Sequence, residues 1–135
     1  MWKGWIIEES LSAASFLSKV KIVKTLIEEN TEGDEKQVWN IHTVEIEDKR
    51  IATLSKQLEN IIKPTWYAHF TDGKNLLIVF IHKSFKLELE KVGKEKENGI
   101  TYFKIKPQEK QVWKTAFEYA IKQANVDSRY MIKVE

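Results

Sequence analysis

The apolar run at residues 76–81 constrains the fold more than any other segment, and it follows an Asp72-Gly73 pair. Asp-Gly beside an apolar run is typical of a β-hairpin turn. Six consecutive apolar residues predict a strand that is buried on both faces. Because the run is far shorter than the ~20 residues that span a bilayer, we expect this strand inside the sheet of a globular domain.

The first half of the chain alternates strand and helix patterns. Strands are predicted over residues 2–8, 21–30, 37–47 and 65–70. Residues 10–20 predict a short helix. A clearer helical pattern begins after Asp48, which we expect to cap that second helix. Pro64 is expected to end that helix. The resulting order is strand, helix, strand, strand, helix, strand, which is the ferredoxin-like βαββαβ order.

The second half predicts a C-terminal β-β-α-β extension. Alternating residues indicate strands over 84–90 and 100–106, separated by a charged loop over 91–99. A helix is predicted to begin near Pro107, and residues 128–134 are predicted to form the last strand. The predicted fold class is therefore α+β, with a mainly antiparallel sheet and helices on one face. We expect a single domain over residues 1–135, because no repeat or linker divides the chain.

Composition excludes several kinds of function. The chain has no cysteine, which excludes disulfides, thiolate nucleophiles and zinc–thiolate or iron–sulfur sites. It has 20 Lys but only 2 Arg, whereas Arg is favoured for bidentate recognition of phosphate and guanine. We therefore do not predict nucleic acid as the main partner, and we predict no cofactor.

Acidic Glu8 and Glu9 after the first apolar residues argue against a signal peptide, so the predicted location is the cytoplasm, without membrane contact.

The segment "WYAHF" at residues 66–70 carries the candidate site. In a strand, Trp66, Ala68 and Phe70 point to one face, whereas Tyr67 and His69 point to the other. The second row consists of side chains that stack and form hydrogen bonds, as in a shallow ligand site or a protein interface. The alternative is the solvent face of a sheet, where tyrosine and histidine are also common.

We predict a binding surface formed by Tyr67 and His69, with His42 and Lys83 nearby. In this interpretation Tyr67 stacks on the ligand, His69 exchanges a hydrogen bond with it, and Lys83 meets an anionic group. The tryptophans are a second candidate surface, because Trp2 and Trp5 lie on opposite faces of the first predicted strand.

The three histidines do not predict a metal site. His42, His69 and His82 lie in or beside different predicted strands, and their spacing is not that of a metal-binding motif. His42 also lies where the apolar positions of its strand change parity. Either both faces of that strand are covered, or a bulge near His42 and Thr43 shifts the register.

The predicted function is a small soluble binding or interaction domain without catalysis, for a small anionic ligand or a protein partner. The alternative is a small enzyme in which His69, with an ordinary pKa of about 6.5, acts as general acid or base on an anionic metabolite. Its nearest partners in sequence are Thr71 and Asp72, and Asp72 already has a role in the turn. A homodimer through an open sheet edge or an exposed tryptophan is the other partner that we expect.

Two motifs resemble those of a small prokaryotic protein family. The "IIEESL" segment at residues 6–11 is similar to its first strand, and "WYAHF" is similar to its WYxHF segment. The family continues with an apolar strand that ends in Lys-x-Phe, as residues 76–85 do here. The resemblance covers most of the first ninety residues and carries no implication about activity.

Overall fold

The computed structural model describes residues 1–32, 35–94 and 101–131. Seven strands are present in this part of the chain: β1 Trp2–Ile7, β2 Lys21–Glu32, β3 Glu35–Ile46, β4 Ala68–Thr71, β5 Asn75–Phe80, β6 Lys83–Lys94 and β7 Thr101–Ile105. Two α-helices are described, α1 Ile51–Ile61 and α2 Lys110–Lys122. Short 3₁₀ turns cover Glu8–Ser10, Ala14–Lys19, Pro107–Glu109 and Ser128–Tyr130.

The strands form one sheet in the order β2-β3-β1-β4-β5-β6-β7. Every neighbouring pair is antiparallel. The predicted α+β class and the antiparallel sheet are therefore confirmed. β1 lies near the middle of the sheet, between β3 and β4, so this first strand is an interior one.

The two helices lie on opposite faces of the sheet, in contrast to the predicted placement on one face. Leu77 and Val79 of β5 pack in the same core as residues of α1. Ile78 and Phe80 pack in the same core as residues of α2. Because successive side chains of a strand point to opposite faces, α1 covers what we call the first face and α2 covers the second. The apolar run predicted two covered faces correctly, and both faces receive a helix.

The first predicted helix is replaced by 3₁₀ turns. Ser10 Oγ donates to Ile7 O at 2.6 Å, and Ser18 Oγ donates to Ser15 O at 2.7 Å. Such serine bonds to nearby carbonyls compete with α-helical bonding. The apolar side chains of this segment, Phe16 among them, are nevertheless buried in the core of the first face.

Other predicted boundaries also change. Asp48 does not cap α1, because Arg50 is its N-cap residue and Asp48 accepts a hydrogen bond from the terminal ammonium of Met1. Residues 128–131 form a 3₁₀ turn and a bend instead of a strand, and the rest of that predicted strand lies outside the described residues. In the predicted charged loop, the first residues continue β6 as far as Lys94, and residues 95–99 lie outside the described part.

The parity change at His42 does not come from the β1–β3 pairing, which is regular from Ile41 to Ile46. A register shift is present on the other side of β3, in β2 between Ile22 and Lys24, opposite Val44 and Thr43. Val44 and Ile46 are buried in the core of the first face, whereas Trp39 and Ile41 line an open groove on the second. β3 therefore carries apolar side chains on both faces, but its second face is not covered.

Gly4 lies at the junction between β1 and β4. It pairs with Val44 of β3 and with Phe70 of β4. A Cβ atom at Gly4 would overlap the carbonyl oxygen of His69 and lie 2.6 Å from Cδ1 of Phe70. The absence of a side chain here lets the β1–β4 junction close, and that junction joins the two halves of the sheet.

We predict that Gly4→Ala lowers the free energy of unfolding by about 3 kcal/mol or more, because the new methyl group collides with backbone as well as with an aromatic ring. The control is Gly73→Ala, in the β4–β5 turn at φ 93°, where a Cβ atom meets nothing within 4 Å. That change should cost only the backbone strain of a positive φ, about 1–2 kcal/mol. Urea denaturation of both variants measures the difference, and equal losses would contradict the close approach at Gly4.

Candidate functional site

An open groove lies on the part of the second face that β1, β3 and β4 form. α2 packs on this face over residues of β5, β6 and β7. The groove has a volume of about 600 Å³. Strands and the segment just before β4 contribute Trp5, Ile7, Gln37, Trp39, Ile41, Thr65, Trp66, Tyr67 and His69. Its other side, which we call the C-terminal wall, is formed by Asn125, Asp127, Arg129 and Tyr130. We call the whole site the aromatic groove.

The C-terminal wall of the groove is tied to the segment before β4. Thr65 N donates to Ala124 O at 2.7 Å, and the Tyr67 hydroxyl donates to the carbonyl of Tyr130. Met131 is buried in the core of the second face. The wall is therefore anchored by backbone and side-chain hydrogen bonds on one side and by apolar burial on the other.

Two residues of the groove hold strained backbone conformations. Thr65 has φ 76° and Asn125 has φ 60°. Asparagine tolerates the left-handed region, whereas a β-branched threonine is an outlier there. This conformation costs roughly 1–2 kcal/mol, and strain of this kind is concentrated at binding and catalytic sites.

The aromatic side chains meet edge to face. Trp39 and Trp66 have ring centroids 5.4 Å apart at an interplanar angle of 78°. Trp5 and His69 are 5.9 Å apart at 81°. Edge-to-face packing is favoured by the ring quadrupoles. Trp5 is still 56% exposed, so a large indole surface remains for contact with another molecule.

His69 presents an uncharged imidazole to the groove. Burial lowers the pKa of His69 below its ordinary value, so the ring is neutral at pH 7. Within the described residues, the structure shows no side-chain hydrogen bond to this ring. If its nitrogens were fully buried they would lack a partner, and the described residues contain no fully buried side-chain nitrogen or oxygen without one. The ring nitrogens of His69 therefore retain access to the groove, where one donates and the other accepts a hydrogen bond.

Tyr67 has a structural role that the sequence does not predict. Its ring is tilted against that of His69, with centroids 6.1 Å apart, and it also packs against Phe80. Burial raises the pKa of Tyr67, so its hydroxyl is a neutral donor. Because that hydroxyl bonds to Tyr130, Tyr67 positions the wall in addition to lining the groove.

The charged side chains in the described lining of the groove cancel each other. Among the described residues, Asp127 and Arg129 are the charged ones that line it, and Arg129 Nε lies 3.1 Å from Asp127 Oδ2. The Arg129 guanidinium also lies over the Tyr130 ring, 4.8 Å from its centroid. With His69 neutral, this described lining has no net charge.

His42 does not join Tyr67 and His69. It pairs with Ile6 of β1, which belongs to the core of the first face, so His42 points away from the groove. It is 7% exposed, with Nδ1 2.8 Å from Thr25 Oγ1 and Nε2 3.0 Å from Glu8 Oε1. These contacts tie β2 and the Glu8–Ser10 turn to β3. The predicted proximity of His42 to His69 is therefore wrong, because the two residues lie on opposite faces.

Lys83 is also outside the groove. It pairs with Phe80 at the start of β6, and its Nζ lies 5.3 Å from the centroid of the Phe85 ring. Lys83 shares the second face with His69 but lies on the side of β5 that is away from β4. An anion held between His69 and Lys83 would have to lie across β5, so the structure does not bring these two residues together.

Sequence reasoning missed most of the groove. Trp5 and Trp39 had a usable signal, because alternation places Trp5 on the face opposite to Trp2. Trp39 then shares that face, since it has the same parity along β3 as Thr43, the residue opposite Trp5. The wall had no such signal. Tyr130 lies in the predicted last strand, and Asn125 and Asp127 lie between that strand and the predicted helix.

Neither a clustered metal site nor a membrane-spanning helix is found in the described residues. No three side chains of the metal-binding types His, Asp and Glu come together there. None of the helices there has the length and apolar character needed to cross a bilayer.

Comparison of the chain with known protein families, with curated proteins and with solved structures finds no match. The aromatic groove must therefore be interpreted from its own chemistry.

The lowered pKa of His69 predicts a pH dependence of stability. Above pH 6.5 the imidazole is neutral in both the folded and the unfolded protein. As the pH falls, the unfolded chain takes up the proton first, so the stability contribution is lost as the pH passes through the lowered pKa of the folded state. Urea titrations at several pH values should show His69→Gln losing less stability than the wild type, with a slope difference of at most about 1.4 kcal/mol per pH unit.

The matched control is His82→Asn, because His82 is exposed and its φ of 66° suits asparagine. This variant should follow the wild-type pH profile. A His69→Gln profile parallel to that of the wild type would contradict a buried, neutral imidazole.

Proposed function

We propose that the protein is a binding domain whose aromatic groove takes a small, planar, uncharged molecule with a hydrogen-bonding edge. The observation that carries this proposal is the convergence of Trp5, Trp39 and Trp66 with the accessible ring of His69 on one open groove. Its volume of about 600 Å³ lies within the range of small-molecule sites, roughly 300–1,000 Å³.

Stacking supplies the main attraction in this proposal. Indole rings offer large, rigid surfaces at a small cost in side-chain entropy, and flat ligands contact them face to face or edge to face. His69 then supplies orientation, because a neutral imidazole offers one donor and one acceptor at the floor of the groove. The anchored wall limits the loss of conformational freedom on binding.

The absence of net charge among the described residues that line the groove leads us to revise the ligand expected from the sequence. An anion would require a cationic partner, whereas His69 is neutral and Arg129 is paired with Asp127. Lys83, which we expected to meet the anion, lies beyond β5. A neutral planar molecule is therefore the better candidate than an anionic one.

A second candidate function is catalysis with His69 as a general base. The lowered pKa favours it, because the ring is unprotonated and able to accept a proton at pH 7. Against it, no carboxylate of the described residues hydrogen-bonds to His69, so the orienting group of a His–carboxylate pair is missing there. If the protein is an enzyme, His69→Gln should lower its turnover by about 100-fold or more.

Several expectations from the sequence remain part of this proposal. The ferredoxin-like order proposed for the first half is supported by the strand arrangement β2-β3-β1-β4, although 3₁₀ turns replace its first helix. A cytoplasmic location and the resemblance to a WYxHF family are likewise predictions that rest on composition and motifs.

We predict that Trp5→Ala weakens the binding of a planar ligand by about tenfold or more, because stacking on one aromatic side chain contributes roughly 1–3 kcal/mol. Trp5 is the most suitable residue to change, since its exposure limits the cost to folding. Neutral nucleosides and their anionic monophosphates serve as probes, and calorimetric titration at pH 7 compares the two sets. Nucleosides should bind more tightly than the monophosphates.

The control is Trp113→Ala on α2, because Trp113 packs in the core of the second face and does not line the groove. It should leave probe affinity unchanged. Equal affinity in wild type and Trp5→Ala would contradict the groove as the site, and tighter binding of the monophosphates would contradict an uncharged ligand.

A native mass spectrum of protein purified from its own host should show a small organic mass that is lost on denaturation.

A further inference from the structure

The outer edge of the sheet at β2 is long and carries exposed apolar side chains between charged ones. Among the described strands, β2 pairs only with β3, and every side chain from Lys21 to Glu29 is exposed. The apolar residues in this stretch include Leu26 at 52% exposure and Ile27 at 66%. An open edge of this kind presents unpaired backbone groups, and natural proteins usually cover such an edge or blunt it with charge.

The charges of β2 are ordered along the strand. Lys21 and Lys24 lie in its first third, whereas Glu28 and Glu29 lie further along. A second copy of β2 in parallel orientation would set like charges side by side. In antiparallel orientation the basic part of one strand meets the acidic part of the other, so the edge is complementary to itself.

Symmetry restricts the possible registers of such a pair. A twofold axis perpendicular to the sheet sets one residue opposite its own copy. With Leu26 at the axis, Lys24 faces the partner's Glu28, and the same pair occurs twice. With Thr25 at the axis Lys24 faces an apolar residue, and with Ile27 at the axis Leu26 faces a glutamate. Opposite charges and matched apolar residues stabilise cross-strand pairs, so the Leu26 register is favoured.

We propose that the protein forms a homodimer by antiparallel pairing of its β2 edges, with Leu26 opposite the partner's Leu26. The irregularity between Ile22 and Lys24 marks the end of the regular stretch on the basic side. Because this axis keeps the faces of the two sheets in register, the aromatic grooves of both copies lie on the same side of one continuous sheet. The dimer does not depend on what the groove binds.

Charge exchange at the two facing positions tests the dimer and its register together. Lys24→Glu sets two glutamates opposite each other at both symmetric positions, and Glu28→Lys does the same with two lysines. Each single variant should weaken dimerisation by about tenfold or more, since like charges directly opposite destabilise a strand pair. The double variant restores opposite charges and should recover the affinity.

Sedimentation velocity over a concentration series up to about 200 μM measures the equilibrium, a range that covers micromolar affinities. The matched control is Lys114→Glu, a charge reversal at an exposed position of α2, and it should leave the equilibrium unchanged. Circular dichroism confirms that each variant is folded, and the double variant shows whether a loss comes from pairing and not from misfolding. A wild-type monomer at the highest concentration, or a double variant no better than the singles, would overturn the proposal.

Discussion

The burial of β5 on both faces is the constraint on which the rest of the structure depends. Residues 76–80 are all buried, and alternate side chains of this strand belong to two separate cores. Neither face of β5 can therefore be left to solvent, and each requires its own helix. α1 arrives between β3 and β4 and covers the first face, whereas α2 follows β7 and covers the second.

The aromatic groove is a consequence of how little sheet one helix covers. Seven strands at about 4.8 Å spacing form a sheet roughly 29 Å wide, whereas a helix with its side chains is about 10–12 Å across. α2 lies over β5, β6 and β7, so β1, β3 and β4 keep an open second face. Within the groove this open face carries the aromatic side chains of Trp5 and Trp39, whereas Lys3 and Glu45 lie further along the same face. Thr65 adds a strained backbone at φ 76° beside the wall. The proposed binding function rests on these exposed aromatic side chains and on that strain.

The sequence predicted what depends on local pattern. Alternation placed Tyr67 and His69 on one face correctly, and the long apolar run identified β5. It could not place His42 or Lys83 relative to them, because that requires the order and register of strands that are distant in the chain. The wall was missed for a related reason: Asp127 accepts a hydrogen bond from the backbone of Arg129 and turns the chain at a point where apolar alternation suggested a strand.

The five tryptophans allow the most direct test of the groove as the binding site. Trp5, Trp39 and Trp66 line it, whereas Trp2 lies in the core of the first face and Trp113, on α2, packs against the core of the second. Each indole N–H gives a separate signal in a ¹⁵N–¹H NMR spectrum. Titration with a neutral nucleoside should shift the signals of the three groove tryptophans and leave those of Trp2 and Trp113 in place. Shifts confined to Trp2 or Trp113, or no shift with any neutral planar probe, would contradict the account.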